Sequence, residues 1–232
     1  MSKNKSLNNN KQLFIEPDNP LKLVEEWLKE ATDGKVQRHP NAMSLSTLNI
    51  KNKVSSRIVL IKNLSSKFDY ITFYTNYLSK KAEDLNSNNS AAGLFHWDKL
   101  GKQIRIEGCV MRSPEEESDN YFAKRPWRSQ LNAWASMQSQ PISSQDYLEK
   151  ERIKKAKTFG IPEKELLSKN TDYDISLPRP SYWGGYRLWI DMIEFWQEGK
   201  DRYHQRLKFK RKIEPKGEIF TCSQWVSEYL QP

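Results

Sequence analysis

The sequence predicts a β-rich α+β domain whose strands form a barrel or sandwich with helices beside them. Three observations predict it. From residue 43 to residue 112, short alternating or β-branched runs recur between turn residues, as in an antiparallel barrel or sandwich. Helical spacing occurs in blocks before and after those runs, so the order is helix, strands, helices, strands rather than alternating βαβ. Only nine glycines are present, with no Gly-x-Gly-x-x-Gly and no Walker loop, which argues against a glycine-rich nucleotide site.

The elements follow in order. Residues 1–13 are polar and of low complexity and are expected to be a disordered tail, leaving 14–232 as a single domain. Asp18-Asn19-Pro20 reads as a helix start, followed by Leu21, Val24, Trp27, Leu28 and Ala31 at helical spacing and Gly34 as the stop. Met43, Leu45 and Thr47 alternate with serines, as in a half-buried strand. Strands are expected at 56–62, 70–75, 91–97 and 103–112, with a short helix at 80–86. Ser113 is expected to cap the next helix, with Pro114 in its first turn and Glu116 completing a capping box. Helical pattern continues around Tyr121 and Phe122, from 131 to 136, and from 145 to 159. Three prolines among polar residues make 160–181 a loop. A strand returns at 186–197, and a last hairpin runs from 206 to 229 around a turn at 214–217.

Composition narrows the function classes. The chain has 232 residues, 37% hydrophobic and 29% charged, which suits a globular domain with its own core. No apolar run reaches the length of about 20 residues that spans a bilayer. The N-terminal stretch is rich in Lys and Asn without an apolar segment, so a cytoplasmic protein without membrane attachment is expected. The two cysteines, Cys109 and Cys222, are expected to be buried reduced thiols. With three histidines and scattered carboxylates, no metal-ligand spacing appears, and no metal is expected. The net charge of +9 favours anionic partners: nucleic acid, anionic membrane or a phosphorylated small molecule. No nucleic-acid recognition motif is present, so the small molecule is preferred. Without glycine-rich loops, a phosphate has to be gripped by Arg, Lys, Ser and Tyr side chains.

Several segments offer such grips. Arg57 and Lys62 bracket an apolar strand and, five residues apart, point to opposite faces; they are strand-edge charges or ligands of different anions. Tyr74-Thr75 ends a strand, and Ser79-Lys80-Lys81 opens a helix. Two lysines there oppose the helix dipole, a conflict that a bound anion relieves. The alternative is a basic surface helix. Tyr121 and Arg125 share a helix face, and Ser129 follows one turn on, a set suited to a phosphate monoester or to a charged helix corner. Trp196 offers a flat face to a ring or to the core. Arg202, His204 and Arg206 alternate, so in a strand they share one face, either solvated or lining a site.

The order and spacing of these blocks carry more than each alone. Arg-Ile-Val-Leu-x-Lys, Tyr-Thr-Asn, Ser-x-Lys-Ala, Gln103 before a strand, Tyr-Phe-x-x-Arg-Pro-x-x-Ser-Gln, Ala-Trp-Ala-Ser-x-Gln-Ser, Trp-Gly-Gly-Tyr-Arg, Glu-Phe-Trp-Gln and Arg-x-His-x-Arg follow one another, and the chain closes in Leu-Gln-Pro after Trp225. From about residue 17 to the end, the chain resembles the pyridoxamine 5′-phosphate oxidase family. The resemblance implies an FMN-binding split β-barrel with flanking helices, working as a homodimer with two sites at the subunit interface. It implies FMN contacts from Arg57, Ile58, Val59, Leu60, Lys62, Tyr74, Thr75, Ser79, Lys80, Lys81, Gln103, Gln138, Ser139, Trp196 and Arg206. It implies a substrate phosphate held by Lys62, Tyr121, Arg125 and Ser129, with Arg202 and His204 as catalytic residues facing the pyridine ring. The implied reaction oxidises pyridoxamine 5′-phosphate and pyridoxine 5′-phosphate to pyridoxal 5′-phosphate, with O2 as acceptor and H2O2 as product. A split-barrel protein that binds flavin or pyridoxal phosphate with little turnover is the alternative. The chain departs from the family pattern at Lys80, where many members carry Arg, at Trp127, and at Tyr203 and Gln205, where Leu and Asp are usual. Its 160–181 segment is also longer than in compact members.

Overall fold

The computed structural model describes residues 17–168 and 173–232; the expected tail at 1–13 lies outside the described residues. Helix α1 (Pro20–Asp33) begins where Asn19 Oδ1 accepts from Leu21 N at 2.8 Å, with Pro20 in its first turn. It buries Leu21, Val24, Trp27 and Ala31. Gly34 N–H returns to Glu30 O, but the left-handed residue at this end is Lys35, at φ 46°.

Strands β1 (Ala42–Leu48), β2 (Val54–Ser65) and β3 (Tyr70–Asn76) form a meander, and α2 (Lys80–Ser87) leads into β4 (Ser90–Trp97) and β5 (Lys102–Arg112). Helices α3 (Glu115–Ala123), α4 (Trp127–Ala135), α5 (Gln145–Thr158) and α6 (Glu163–Leu167) come next. The chain then returns as β6 (Trp183–Gln197), β7 (Gln205–Lys210), β8 (Ile213–Lys216), β9 (Ile219–Cys222) and β10 (Val226–Leu230).

All pairings are antiparallel, and six strands close in the order β6-β3-β2-β1-β4-β5 and back to β6. Closure depends on the 15-residue length of β6. One of its edges pairs Trp183 to Trp189 with β3 and then Met192 to Gln197 with β7, while β5 occupies the other edge. The expected barrel is therefore present, with β7 and β10 extending it. Phe73, Phe95, Ile104, Ile106, Ile193 and Phe195 fill its interior, and α1 closes one end through Trp27, whose ring meets Phe195 edge-on at 5.3 Å. A second core joins α4, α5 and α6 through Trp127, Leu131, Ala156, Ile161 and Leu166.

Four local expectations are corrected. The capping box does not form: α3 starts at Glu115, no side chain caps it, and Ser113 N–H donates to Gly185 O at 2.9 Å. Pairing with β6 claims Ser113, and three glutamates in the first turn favour the helix start instead. Residues 160–181 are not simply a loop, since α6 packs Leu166 against α4, and Arg128 donates to the carbonyls of Glu165 (2.7 Å) and Ser168 (2.5 Å) at its end; residues 169–172 of that segment lie outside the described residues. The last hairpin forms, but β7–β10 and β8–β9 are separate ladders, Pro215 sits inside β8 opposite Phe220, and the turn passes through Gly217. Cys222 is exposed and Cys109 only half-buried, the latter against the small cluster of Tyr70, Trp189 and Phe220 outside the barrel interior.

Candidate active site

Strand β2, the end of β3, the α3–α4 corner and the stretch after α4 border a cleft of ≈ 690 Å³. It brings together Ile58, Val59, Leu60, Lys62, Tyr74, Thr75, Lys81, Tyr121, Arg125, Ser129 and Gln138, all expected from the sequence. Lys124, Trp183 and Asn132 also border it and were not expected. Lys62, Lys81, Lys124 and Arg125 supply positive charge, and among the described residues no Asp or Glu lines the wall. Such a cleft attracts anions.

The strand rule separates Arg57 from Lys62, as expected. Val59 and Ile61 are buried on the Arg57 face, while Ile58 is exposed on the Lys62 face. Arg57 does not line the cleft. Its Nη1 donates to Thr47 Oγ1 (2.7 Å) and Leu45 O (3.1 Å), and its Nη2 lies 3.6 Å from Asp84 Oδ2. Asp84 is buried on α2 and also accepts from Thr47 and Ser55. Burial would raise its carboxyl, but these donors and Lys80 outweigh it and hold the group below the ordinary carboxylate range. Lys80 is solvated beside Glu83 and Asp84, 3.1 and 3.2 Å away, and does not reach the cleft wall.

Lys81 points the other way and is buried. Its Nζ donates to Thr75 Oγ1 (3.0 Å), Ser79 Oγ (3.2 Å) and Gln138 Oε1 (3.2 Å), all neutral. Thr75 also donates to Gln138 Oε1 at 3.0 Å. Burial, helped by the charge of Arg57, depresses the Lys81 ammonium to about 8. A buried cation with only neutral partners is half of an ion pair, and a phosphate is a suitable other half. Ser139, next in the chain, is exposed at φ 72° and outside the cleft wall.

Part of the cleft wall is aromatic. Tyr74 stacks on Tyr121 with centroids 3.9 Å apart and planes at 9°, and Trp183 continues the stack 5.6 Å from Tyr74. Gly185 makes this possible, because a Cβ there would stand 2.6 Å from Ser113 Oγ and 2.9 Å from the Tyr74 ring. Burial, then the neighbouring Glu117 carboxylate, pushes the Tyr74 hydroxyl well above its ordinary value, so it stays protonated. Glu117 in turn accepts from Arg187 Nε at 2.8 Å. Arg125, just past the end of α3, lies over the Trp183 ring at 4.6 Å, and its buried Nη1 has no hydrogen-bond partner. Burial lowers the Arg125 pKa, although a guanidinium remains charged. Trp127, one of the departures from the family pattern, faces the α4–α6 core, against Tyr173.

Gln130 holds the corner. Its buried Nε2 donates to Phe122 O (3.1 Å), Ala123 O (3.2 Å) and Arg125 O (2.9 Å), and its Oε1 accepts from Leu177 N at 2.6 Å. Gln130→Leu leaves that N–H unpaired and removes the side-chain donor from the Ala123 and Arg125 carbonyls, while Phe122 O keeps the Arg125 N–H. It is expected to lower stability by about 2–4 kcal/mol and to weaken phosphate binding at Arg125. Thermal melts read the first effect and phosphate titration the second; a melting temperature unchanged within a degree contradicts this role.

The remaining expected residues form a second group away from the cleft wall. Gln103, Trp196 and Arg206 are cross-strand neighbours on β5, β6 and β7. Arg206 Nε donates to the buried carboxylate of Glu194 at 2.8 Å, and Arg105 donates to the same carboxylate at 2.8 Å. The His204 ring lies 4.6 Å from Trp196, and its Nδ1 accepts from Gly199 N at 3.3 Å. Arg202 and His204 are not on a strand with Arg206, which is a correction. Residues 200–202 form a 3₁₀ turn, Asp201 and Arg202 have φ of 55° and 64°, and β7 starts only at Gln205. The turn is held by the close approach of Gly199 to Tyr203, where a Cβ would lie 1.8 Å from Tyr203 O. Among the described residues there is no cluster of His, Cys, Asp or Glu able to hold a metal, and no helix long and apolar enough to cross a membrane.

Comparison with known proteins bears on the family and the fold. The family described as pyridoxamine 5′-phosphate oxidase matches residues 28–154, and the pyridoxine 5′-phosphate oxidase C-terminal dimerisation region matches residues 183–232. A pyridoxine/pyridoxamine 5′-phosphate oxidase of Albidiferax ferrireducens is 42% identical over 214 residues, 92% of this chain and 89% of that protein. A relative of the same name from Cyanothece sp. is 39% identical over 215 residues, again 92% and 89%. Among solved structures, PhzG from Burkholderia lata, in complex with tetrahydrophenazine-1-carboxylic acid, superposes with a TM-score of 0.75 at 28% identity, covering 93% of this chain and 94% of that one. An FMN-binding protein of Nostoc punctiforme shares the fold at a TM-score of 0.64 and 12% identity, with 94% and 100% covered.

Proposed function

Because the chain belongs to the pyridoxamine 5′-phosphate oxidase family, we propose that it oxidises pyridoxamine 5′-phosphate and pyridoxine 5′-phosphate to pyridoxal 5′-phosphate with FMN as cofactor. The carrying observation is a cleft that no acid among the described residues lines, in which two desolvated cations, Lys81 and Arg125, have no counter-anion among those residues. Two such cations suit two phosphates: that of the flavin near Lys81 and that of the substrate near Arg125, Tyr121, Ser129 and Lys62. When bound, FMN supplies hydride acceptance from the substrate C4′ carbon and passage of the electrons to O2, giving H2O2. The chain's own part is to grip both phosphates, to keep the Tyr74 hydroxyl protonated, and to bring cationic groups to the pyridine ring.

Arg202 and His204 take that last role only if a second copy supplies them, since neither borders the cleft of its own chain. The matched dimerisation region and the exposed apolar Ile58 at the cleft edge support a homodimer in which one subunit's turn at 199–204 covers the other's cleft. This reading places the reaction in the cytoplasm, with no nucleic acid or membrane as partner.

The test is optical. The purified protein is expected to be yellow, with flavin absorbance near ~450 nm as free flavins show, to bleach when pyridoxamine 5′-phosphate is added without air, and to recover colour with peroxide formation when air returns. Protein that cannot be reconstituted with FMN sinks the assignment. Tyr203, 76% exposed in place of a usual leucine, favours a second reading, a flavin or pyridoxal phosphate binder with little turnover. Bound flavin that stays coloured under anaerobic substrate supports that reading instead.

A further inference from the structure

The anion grip at Arg125 has an unusual support. A buried arginine is ordinarily oriented by a carboxylate, and among the described residues Arg125 has none. The nearby acids are engaged elsewhere: Glu117 pairs with Arg187, and Asp119 pairs with Arg179 at 2.6 Å. The guanidinium rests instead on two rings, with its carbon 4.6 Å from the centroid of Trp183 and 5.5 Å from that of Phe122. Its Nη1 is buried and unpartnered. Trp183 is itself fixed by parallel stacking on Tyr74, 5.6 Å away at 9°, and by the edge of Phe122 at 5.0 Å. It is 7% exposed, yet its face borders the cleft.

We propose that Trp183 is the positioning residue of the phosphate grip. Its indole face takes the place of a counter-carboxylate and holds the Arg125 fork flat, leaving Nη1 free for the anion. A carboxylate in that position would orient the arginine but also neutralise it and compete for the same donors. An aromatic face attracts the cation without using a single N–H. The arginine is thus both ordered and fully available for a dianion. The identity of that anion as the substrate's phosphate rests on the oxidase reading above; the support of Arg125 by Trp183 does not.

The test uses the flavin-loaded protein with Trp183→Leu, Trp183→Phe, Arg125→Ala and the double variant Trp183→Leu/Arg125→Ala. Trp183→Leu is expected to raise KM for pyridoxamine 5′-phosphate about tenfold while kcat stays within about twofold and flavin content is unchanged. Trp183→Phe retains most of the affinity. In the double variant, KM is expected to match that of Arg125→Ala alone, because the indole acts only through the guanidinium. Inorganic phosphate binding, followed by calorimetry on the same proteins, should show the same order. Additive losses in the double variant overturn the proposal, as does a joint fall of kcat, flavin content and melting temperature with KM unchanged. If Trp183→Leu does not fold, Trp183→Phe decides: a phosphate affinity identical to that of the wild type overturns the proposal. If the wild type does not oxidise pyridoxamine 5′-phosphate, the oxidase reading fails and the phosphate titration still judges Trp183. A wild type that binds no phosphate at millimolar concentration removes both.

Discussion

Replacing Lys81 with methionine is expected to abolish flavin retention while making the flavin-free protein more stable. The two effects have opposite signs for one reason. Holding a buried lysine at about 8 instead of 10.5 corresponds to about 3 kcal/mol of disfavoured charge. A base whose folded pKa is depressed carries that penalty in full below pH 8, progressively less between 8 and 10.5, and not at all above. Methionine fills similar volume without charge. The hydrogen bonds to Thr75, Ser79 and Gln138 are lost, although Thr75 and Gln138 remain bonded to each other, so the net gain at pH 7 is about 1 kcal/mol. Flavin affinity, which gains from the same uncompensated charge, should fall about 100-fold. Melting curves of flavin-stripped protein and titration of FMN by its fluorescence quenching read the two halves. The wild type should also bind FMN about tenfold less tightly per pH unit above 8, until the flavin-bound pKa is reached, whereas Lys81→Met should show a flat profile there. A variant that keeps FMN as tightly as the wild type removes Lys81 from the cofactor's phosphate.

The second large effect is expected at Arg202. Arg202→Ala should lower kcat/KM by about 100-fold or more while leaving bound flavin unchanged. Alanine and arginine share the same reluctance to adopt φ 64°, so the turn at 200–202 keeps its backbone cost and the change isolates the guanidinium. Arg202→Lys should recover only part of the loss, since it keeps the charge but not the planar fork. The dimer reading adds a sharper expectation. Neither Arg202→Ala nor Arg125→Ala is active alone at low substrate. When the two proteins are unfolded and refolded together, about half of the dimers are mixed, and each mixed dimer has one site with both arginines intact. About a quarter of the wild-type rate should return. No recovery on mixing means that Arg202 and Arg125 do not meet across subunits.

Much of this was legible in the residues. Period-two runs from Met43 to Arg112 pointed to a barrel or sandwich, and the glycine-poor composition to side-chain phosphate grips, because alternation reports directly on which face is buried; the family resemblance chose the barrel. Spacing along a strand also separated Arg57 from Lys62. Ser113 misled because the local capping pattern competes with strand pairing, and pairing with Gly185 is visible only when β6, some 70 residues later, is in place. The alternation of Arg202, His204 and Arg206 gives a shared face only in a strand, and the Gly199–Tyr203 contact forces a turn there instead.

The sequence by itself determined the family, the barrel that the family implies and the kinds of residue proposed as anion grips, since these depend on periodicity and on motif order along one dimension. Tertiary structure alone decided which cations are usable. Of the two lysines that open α2, Lys81 is buried among neutral donors and acceptors while Lys80 is spent on Glu83 and Asp84. Arg57 is turned to Asp84, and Arg125 is left uncompensated on Trp183. A charge binds a ligand according to what else surrounds it, and those surroundings come from strands and helices far apart in the chain.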